Sequence, residues 1–200
     1  MLDRVLLPLF SAPHRVVARS CLRVGLSANA VTLIGAGVGL TALPFLAGQH
    51  YGWALTLILC NRFLDGVDGA VARMVGPTDR GAFLDTVCDF LFYAAIPLGF
   101  AMADPAANAL PAALLLASFL GTGSTFLGFA AVAAKRSLLS PKYPNKGFYY
   151  LGGLTEGTET IVLFCAMCFW PQHFAWLAYG FAAACGVTTI TRLYFGMKSL

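Results

Sequence analysis

Four aspartates stand inside stretches of this chain that are otherwise apolar enough to cross a lipid bilayer. Asp65 and Asp68 lie in Asp65-Gly66-Val67-Asp68-Gly69-Ala70-Val71-Ala72-Arg73, and Asp85 and Asp89 follow in Gly81-Ala82-Phe83-Leu84-Asp85-Thr86-Val87-Cys88-Asp89. An ionisable side chain in hydrocarbon is costly unless something pairs with it, so its presence marks a functional site by default. Four acids of one sign demand a cation.

The chain has 200 residues, of which 58% are hydrophobic and 11% charged, and a mean hydropathy of +0.75. Soluble globular domains do not approach that composition, so we expect an integral membrane protein of all-α class. Each crossing of roughly 30 Å of hydrocarbon takes about 20 residues. Six stretches qualify: 28–48, 51–74, 80–103, 107–134, 149–170 and 174–196. They read as one domain over 1–200, a six-helix bundle over 28–196 preceded by residues 1–25. In that leading segment Leu6, Leu7, Leu9, Phe10, Val16, Val17 and Leu22 interleave with Arg15, Arg19 and Arg23, the pattern of an amphipathic helix in the headgroup plane. Its scattered arginines and the prolines at 8 and 13 argue against a signal peptide.

Lys and Arg near span ends stay on the cytoplasmic side. The turns 48–51, 104–108 and 170–173 carry neither residue, whereas the opposite turns and both termini carry nearly all of them. Both termini and the acids are therefore expected at the cytoplasmic face of a bacterial-type inner membrane. The net charge of +4 fits attraction to anionic membrane lipids, not nucleic acid. Cys165-Ala166-Met167-Cys168 has neither a second pair nor a nearby His, and reads as apolar helix rather than a metal or redox site.

With Arg73 and Arg80 as interface markers, an antiparallel pairing of spans two and three sets the depth of each acid. At 1.5 Å per residue, Asp68 and Asp85 each lie about 7.5 Å inside, Asp65 about 12 Å and Asp89 about 13.5 Å. The spacings i, i+3 and i, i+4 put each pair on one helix face, making two facing layers of carboxylates. Hard divalent cations prefer such oxygens, and four carboxylates suit two Mg²⁺ or Mn²⁺ ions, which can clamp both oxygens of an in-line displacement at phosphorus. Gly66, Gly69, Ala72, Gly81 and Ala82 allow close approach of helices or ligand. Arg73 at the mouth suits phosphate oxygens.

The pattern D-x-x-D-G-x-x-A-R followed by G-x-x-x-D-x-x-x-D, from Asp65 to Asp89, resembles the signature of the CDP-alcohol phosphatidyltransferase family, and the six spans with a leading interfacial helix are similar to that family over essentially the whole chain. Seven residues separate Arg73 from Gly81, where many members are expected to have eight. The resemblance implies that Asp65, Asp68 and Asp85 bind two divalent ions, and that Asp89 completes the metal site and takes the proton from the attacking alcohol. It also implies that Gly69 and Ala72 make room for cytidine, that Arg73 contacts the diphosphate, and that Thr78 touches nucleotide. Asn29 and Thr32, in Asn29-Ala30-Val31-Thr32, resemble the segment with which the family opens its first span; helix capping by Ser27 or Asn29 is the simpler alternative. The implied reaction transfers a phosphatidyl group from a CDP-linked lipid, CDP-diacylglycerol, to an alcohol and releases CMP, in a homodimer.

A second polar island runs from Lys135 to Thr160. Arg136, Lys142 and Lys146 are candidates for an acceptor phosphate, and Glu156 and Glu159 for an ammonium or hydroxyls. Anchoring to anionic lipid and capping of a helix start are the competing readings. A cation channel or transporter is the rival function, since intramembrane acids also mark ion paths. It predicts access from both faces, whereas the motif acids cluster toward one.

Overall fold

The computed structural model describes residues 3–136 and 153–199, with side chains from residue 12 onward. Every regular element among them is helical. They are α1 (Asp3–Arg23), α2 (Ala28–Ala47), α3 (Tyr51–Val75), α4 (Asp79–Ala103), α5 (Pro105–Lys135), α6 (Gly157–Phe169) and α7 (Phe174–Ser199), with a 3-10 turn at Pro171–His173. α2, α4, α5 and the run from Pro171 through α7 are long and apolar enough to cross a membrane. α3 has 25 residues, about 37 Å at helical rise, but every 18-residue stretch of it contains Arg62, Asp65 and Asp68. The residues that carry the chemistry are what make it too polar.

Local chemistry sets the helix ends. Ser27 caps α2 by accepting from the Ala30 N–H at 3.2 Å, and Thr78 caps α4 by accepting from the Gly81 N–H at 3.1 Å. Asp104 caps α5 through the Ala107 N–H at 3.1 Å, with Pro105 next, where a missing N–H costs nothing. α3 stops at Gly76, whose φ of 99° is open to glycine and strained for other residues. That turn makes the short 76–78 connection possible.

One expected boundary is wrong. The span anticipated at 149–170 begins, among described residues, only at Gly157, and 153–156 are not helical. Glu156 and Glu159 form a reciprocal capping box in which Glu159 accepts from the Glu156 N–H at 3.2 Å. Two acids three residues apart start this helix instead of continuing it. With 13 residues, α6 is about 20 Å long.

The antiparallel pairing of α3 with α4 takes an unexpected form. The two are joined by a tight turn, yet both lie along α2 and their backbones approach each other little; α5 packs on α7 and α4, α6 on α3, and α1 on α3. Small buried residues Gly35, Ala36, Gly39 and Ala42 on α2 permit this. A Cβ on Gly39 would stand 2.7 Å from both Asn61 Nδ2 of α3 and Phe92 Cδ2 of α4. With α2 as the spine, the gap between α3 and α4 remains open on one side.

Beyond the acids, that gap is filled by a core of Leu46, Ile58, Phe92, Ile96, Phe100, Phe164 and Phe174, all essentially fully buried. Tyr51, Phe100 and Phe174 stack at centroid spacings of 5.6 and 4.7 Å. Large apolar side chains such as Leu33, Leu59, Leu120, Trp176 and Ile190 face outward. An exterior this apolar suits lipid better than water.

Candidate active site

Helix phase puts Asp65 and Asp68 on the side of α3 that faces the gap, and Asp85 and Asp89 on the matching side of α4. One carboxylate oxygen each of Asp65, Asp68 and Asp85 lie within 4.8 Å of one another. Asp89 joins the deeper layer through Arg62, whose Nη2 donates to Asp89 Oδ1 at 2.7 Å and to Asp65 Oδ1 at 3.3 Å. Asp65 and Asp89 thus share one guanidinium, and Asp68 lies near Asp85. Asp68 is 6% exposed, while the side chains of Asp65 and Asp89 keep 35% and 31% of their surface.

The four acids line a small open cleft shared with Thr32, Asn61, Arg62 and Cys88. The residues expected to touch a nucleotide lie in two groups. Asn29 Oδ1 and Thr78 Oγ1 would each stand 3.1 Å from a Cβ on Gly81. Arg73, exposed at the end of α3, folds its guanidinium back along Gly69, where a Cβ would be 3.2 Å from Nη1. Thr32 lines the cleft and donates to the Ala28 carbonyl at 3.0 Å, and Ala72 is half-buried beside Arg73.

α1 seats on the opposite side of α3. Ala18 is fully buried against Val67, Ala70 and Val71, and the His14 imidazole lies on Gly66, with its centroid 5.0 Å from that of Phe63. Burial there, and secondarily the charge of Arg73, holds the His14 pKa below the usual 6.5.

Of the expected acceptor residues, Lys142 and Lys146 lie outside the described ones. Arg136 is exposed at the end of α5. Glu156 and Glu159 serve the capping box, and Glu156 Oε1 also accepts from the Gly153 N–H at 3.2 Å. Their helix start nevertheless adjoins the cleft: a Cβ on Gly157 would be 3.4 Å from Tyr93 Oη, which lies 3.4 Å from Arg62 Nη1. Arg62, Asn61 and Tyr93 are not among the residues expected from the sequence. The available signal was a polar Asn61-Arg62 pair one turn before Asp65 in an apolar span.

A family model for CDP-alcohol phosphatidyltransferase matches residues 26–190. The chain belongs to that family. Its members are enzymes of phospholipid biosynthesis, and this phosphatidyltransferase carries the full acid signature on α3 and α4. It is 51% identical, over its whole length and 97% of the other chain, to inner membrane protein YnjF of Escherichia coli. Over 51% of its length and 43% of the other it is 38% identical to the phosphatidylinositol phosphate synthase of Streptomyces avermitilis. Its fold matches the Mycobacterium tuberculosis phosphatidylinositol phosphate synthase. The crystal structure of that protein with CDP-DAG bound superposes with a TM-score of 0.72 at 24% identity over 92% of each chain. The structure with manganese and citrate gives 0.73 at 23% identity, over 92% of this chain and 88% of that one.

Proposed function

We propose that this enzyme transfers a phosphatidyl group from CDP-diacylglycerol to the hydroxyl of a small alcohol, releasing CMP. The observation that carries the proposal is the convergence of Asp65, Asp68 and Asp85 within 4.8 Å, with Asp89 beside them, on the family signature. An all-oxygen donor set of this kind fits a hard divalent cation. Asp65, Asp68, Asp85 and Asp89 would hold Mg²⁺ or Mn²⁺, two ions in our reading, which when bound would offset charge on the diphosphate and the transferring phosphoryl group. The manganese in the mycobacterial structure and the CDP-DAG in its companion support this choice of ligands.

The chain's own residues divide the work. Arg73 grips the diphosphate, while Asn29, Thr32, Gly69, Ala72 and Thr78 form the surface on which cytidine lies. Asp89 Oδ1 is held by Arg62, leaving Oδ2 to take the proton as the acceptor oxygen bonds to the β-phosphorus and the bond from that phosphorus to CMP breaks. This is general base catalysis at hydrogen-bond reach. The acceptor enters beside the start of α6, with Arg136, Lys142, Lys146, Glu156 and Glu159 as its candidate contacts.

The same reading covers the setting. We take the chain as one domain with six membrane crossings, α3 and the segment containing α6 completing the set, and α1 lying in the headgroup plane. The membrane is an inner membrane, as the name of the Escherichia coli relative favours; the acids and both termini face the cytoplasm, and the enzyme works as a homodimer. Transport gains no support: past Arg62, the path through the bundle is blocked by Ile58, Phe92 and Ile96, each at most 1% exposed.

The test incubates the purified protein in lipid with labelled CDP-diacylglycerol, Mn²⁺ or Mg²⁺ and a panel of alcohols that includes inositol phosphate, glycerol 3-phosphate, serine and choline. CMP should appear with one acceptor and vanish with chelator. Asp89→Asn should abolish turnover and spare CDP-lipid binding. No CMP with any acceptor from folded protein would sink the assignment.

A further inference from the structure

Tyr93 stands one turn deeper on α4 than Asp89 and on the same face of the helix. Its ring is held by aromatic neighbours from α4, α5 and α6, with the centroids of Phe92, Phe119 and Phe164 at 5.6, 6.4 and 6.1 Å. A phenylalanine would fill that place equally well. The hydroxyl is what sets Tyr93 apart, and the residue is only half-buried. Its Oη accepts from Arg62 Nη1 at 3.4 Å and lies 3.4 Å from where a Cβ on Gly157 would stand, at the start of α6.

Arg62 lies between this corner and the acids. The cleft is walled on one side by Thr32, Gly35 and Ala36 of α2, while Tyr93 bounds the guanidinium on the side of α5 and α6. Arg62 Nη2 reaches Asp89 at 2.7 Å and Asp65 at 3.3 Å, and Nη1 reaches Tyr93. Asp89 and Tyr93 are therefore joined through the two terminal nitrogens of one guanidinium. A molecule with one hydroxyl on Asp89 has its neighbouring hydroxyl within reach of Tyr93. The 3.4 Å contact is longer than an ordinary hydrogen bond, so a third oxygen can bond both partners, giving a proton to Tyr93 Oη or taking one from it.

The same corner is unsuited to a second cation. Glu156 and Glu159 close the capping box of α6, and Asp65 and Asp89 face Arg62. The rings that could cradle an ammonium already carry the guanidinium carbon, 5.0 Å from the Phe92 centroid and 5.6 Å from that of Tyr93. An alcohol with an ammonium beside its hydroxyl would set like charge against Arg62.

We propose that Tyr93 is a specificity-determining residue whose hydroxyl, with Arg62 Nη1 beside it, binds a second hydroxyl next to the one that reacts. The acceptor is then a polyol, free or phosphorylated elsewhere, and not an amino alcohol. The inference rests on the transferase reading for the reaction, and it holds for any sharing of cations among the four acids.

The test uses the full-length protein in lipid nanodiscs with CDP-diacylglycerol and Mn²⁺, and measures CMP release with glycerol, inositol, the phosphates of both, serine, ethanolamine and choline. A polyol should be preferred; preference for serine, ethanolamine or choline would overturn the proposal. The preferred polyol is then compared with its analogue lacking the hydroxyl beside the reacting one, as 3-hydroxypropyl phosphate lacks it relative to glycerol 3-phosphate. That loss should lower kcat/KM about 10- to 100-fold, the scale of a hydrogen bond shared with a charged group. Tyr93→Phe keeps the ring and should raise KM for the polyol about 3- to 10-fold. It should leave KM for CDP-diacylglycerol unchanged and cost nothing further with the deoxy analogue. A merely structural role would impair both acceptors alike, and that result refutes the contact, as does a variant with wild-type constants. If Tyr93→Phe does not fold, the wild type decides, and equal use of polyol and analogue refutes the proposal. A wild type that releases no CMP with any acceptor defeats the transferase reading. Calorimetric titration of glycerol 3-phosphate and 3-hydroxypropyl phosphate into wild type and Tyr93→Phe then decides the contact: tighter binding of the diol that Tyr93→Phe removes supports it, and equal affinities refute it.

Discussion

Substituting Gly66 by Ala tests how α1 is seated on the acid-bearing helix. A Cβ there would lie 2.3 Å from His14 Cε1, 2.6 Å from Nε2 and 2.7 Å from Nδ1. Carbon contacts are comfortable at about 3.5–4 Å, so the ring or α1 must recede by about 1.2 Å. The ring has little freedom to do so, with Phe63 beside it at 5.0 Å and Arg73 close enough to depress its pKa. Overpacking of this kind costs about 1–3 kcal/mol. That is comparable to the burial of one side chain at about 1.5–3 kcal/mol, and α1 keeps several besides, Ala18 and Leu22 among them. α1 should therefore loosen without detaching. Trypsin cleavage at Arg15, Arg19 and Arg23 in nanodiscs reads the opening equilibrium while reclosing is fast. At tenfold per 1.4 kcal/mol, cleavage should quicken about 5- to 150-fold. Removing the obstructing ring should reverse this, so Gly66→Ala/His14→Ala should resist trypsin better than Gly66→Ala alone. A double variant cleaved at least as fast as the single would refute the argument.

Other expectations follow from the same geometry. The folded-state pKa of His14 lies below 6.5 because burial and Arg73 disfavour its charged form; α1 seating should hold above pH 6.5 and weaken as pH falls below it, seen as trypsin sensitivity that His14→Gln removes. Thr188 Oγ1 accepts from the Thr155 N–H at 3.1 Å and lies 2.9 Å from its hydroxyl, both residues being buried. Thr188→Val should cost about 1–3 kcal/mol in denaturation with Thr188→Ser near neutral, and a neutral Val variant would contradict the buried bond. Glu156→Ala should destabilise by about 0.5–2 kcal/mol through loss of the cap. If it also raises KM for the acceptor alone, the capping carboxylate has a second duty; an unchanged KM confines it to the helix start.

Depth was legible in the sequence and direction was not. Helix rise measured from Arg73 and Arg80 gives each acid an expected level, and Asp65 and Asp89 do share a partner in Arg62. Rise says nothing about lateral neighbours, so adjacency in sequence suggested α3 packed directly on α4, and the glycines of α2 were not read as the surface that holds both. Arg62 shows the same limit. From its own helix it looks like a partner for Asp65, one turn away; its closer contact comes from a residue 27 positions later. The start of α6 was misplaced for another reason: hydropathy over 149–170 outweighed two glutamates whose spacing is a start signal. Lys142 and Lys146 lie outside the described residues.

The α3–α4 connection, turned tightly at Gly76, also bears on how the site comes into being. All four carboxylates and the arginine that grips two of them fall between positions 62 and 89. Closing so short a stretch of chain carries a small entropic cost. Chains emerge from synthesis N-terminal part first, and α5, α6 and α7 supply none of these charges. A nascent chain that has inserted only as far as α4 therefore already carries the whole charged constellation. The repulsion among the aspartates meets its first counter-charge on α3 itself, before the later helices arrive to enclose it.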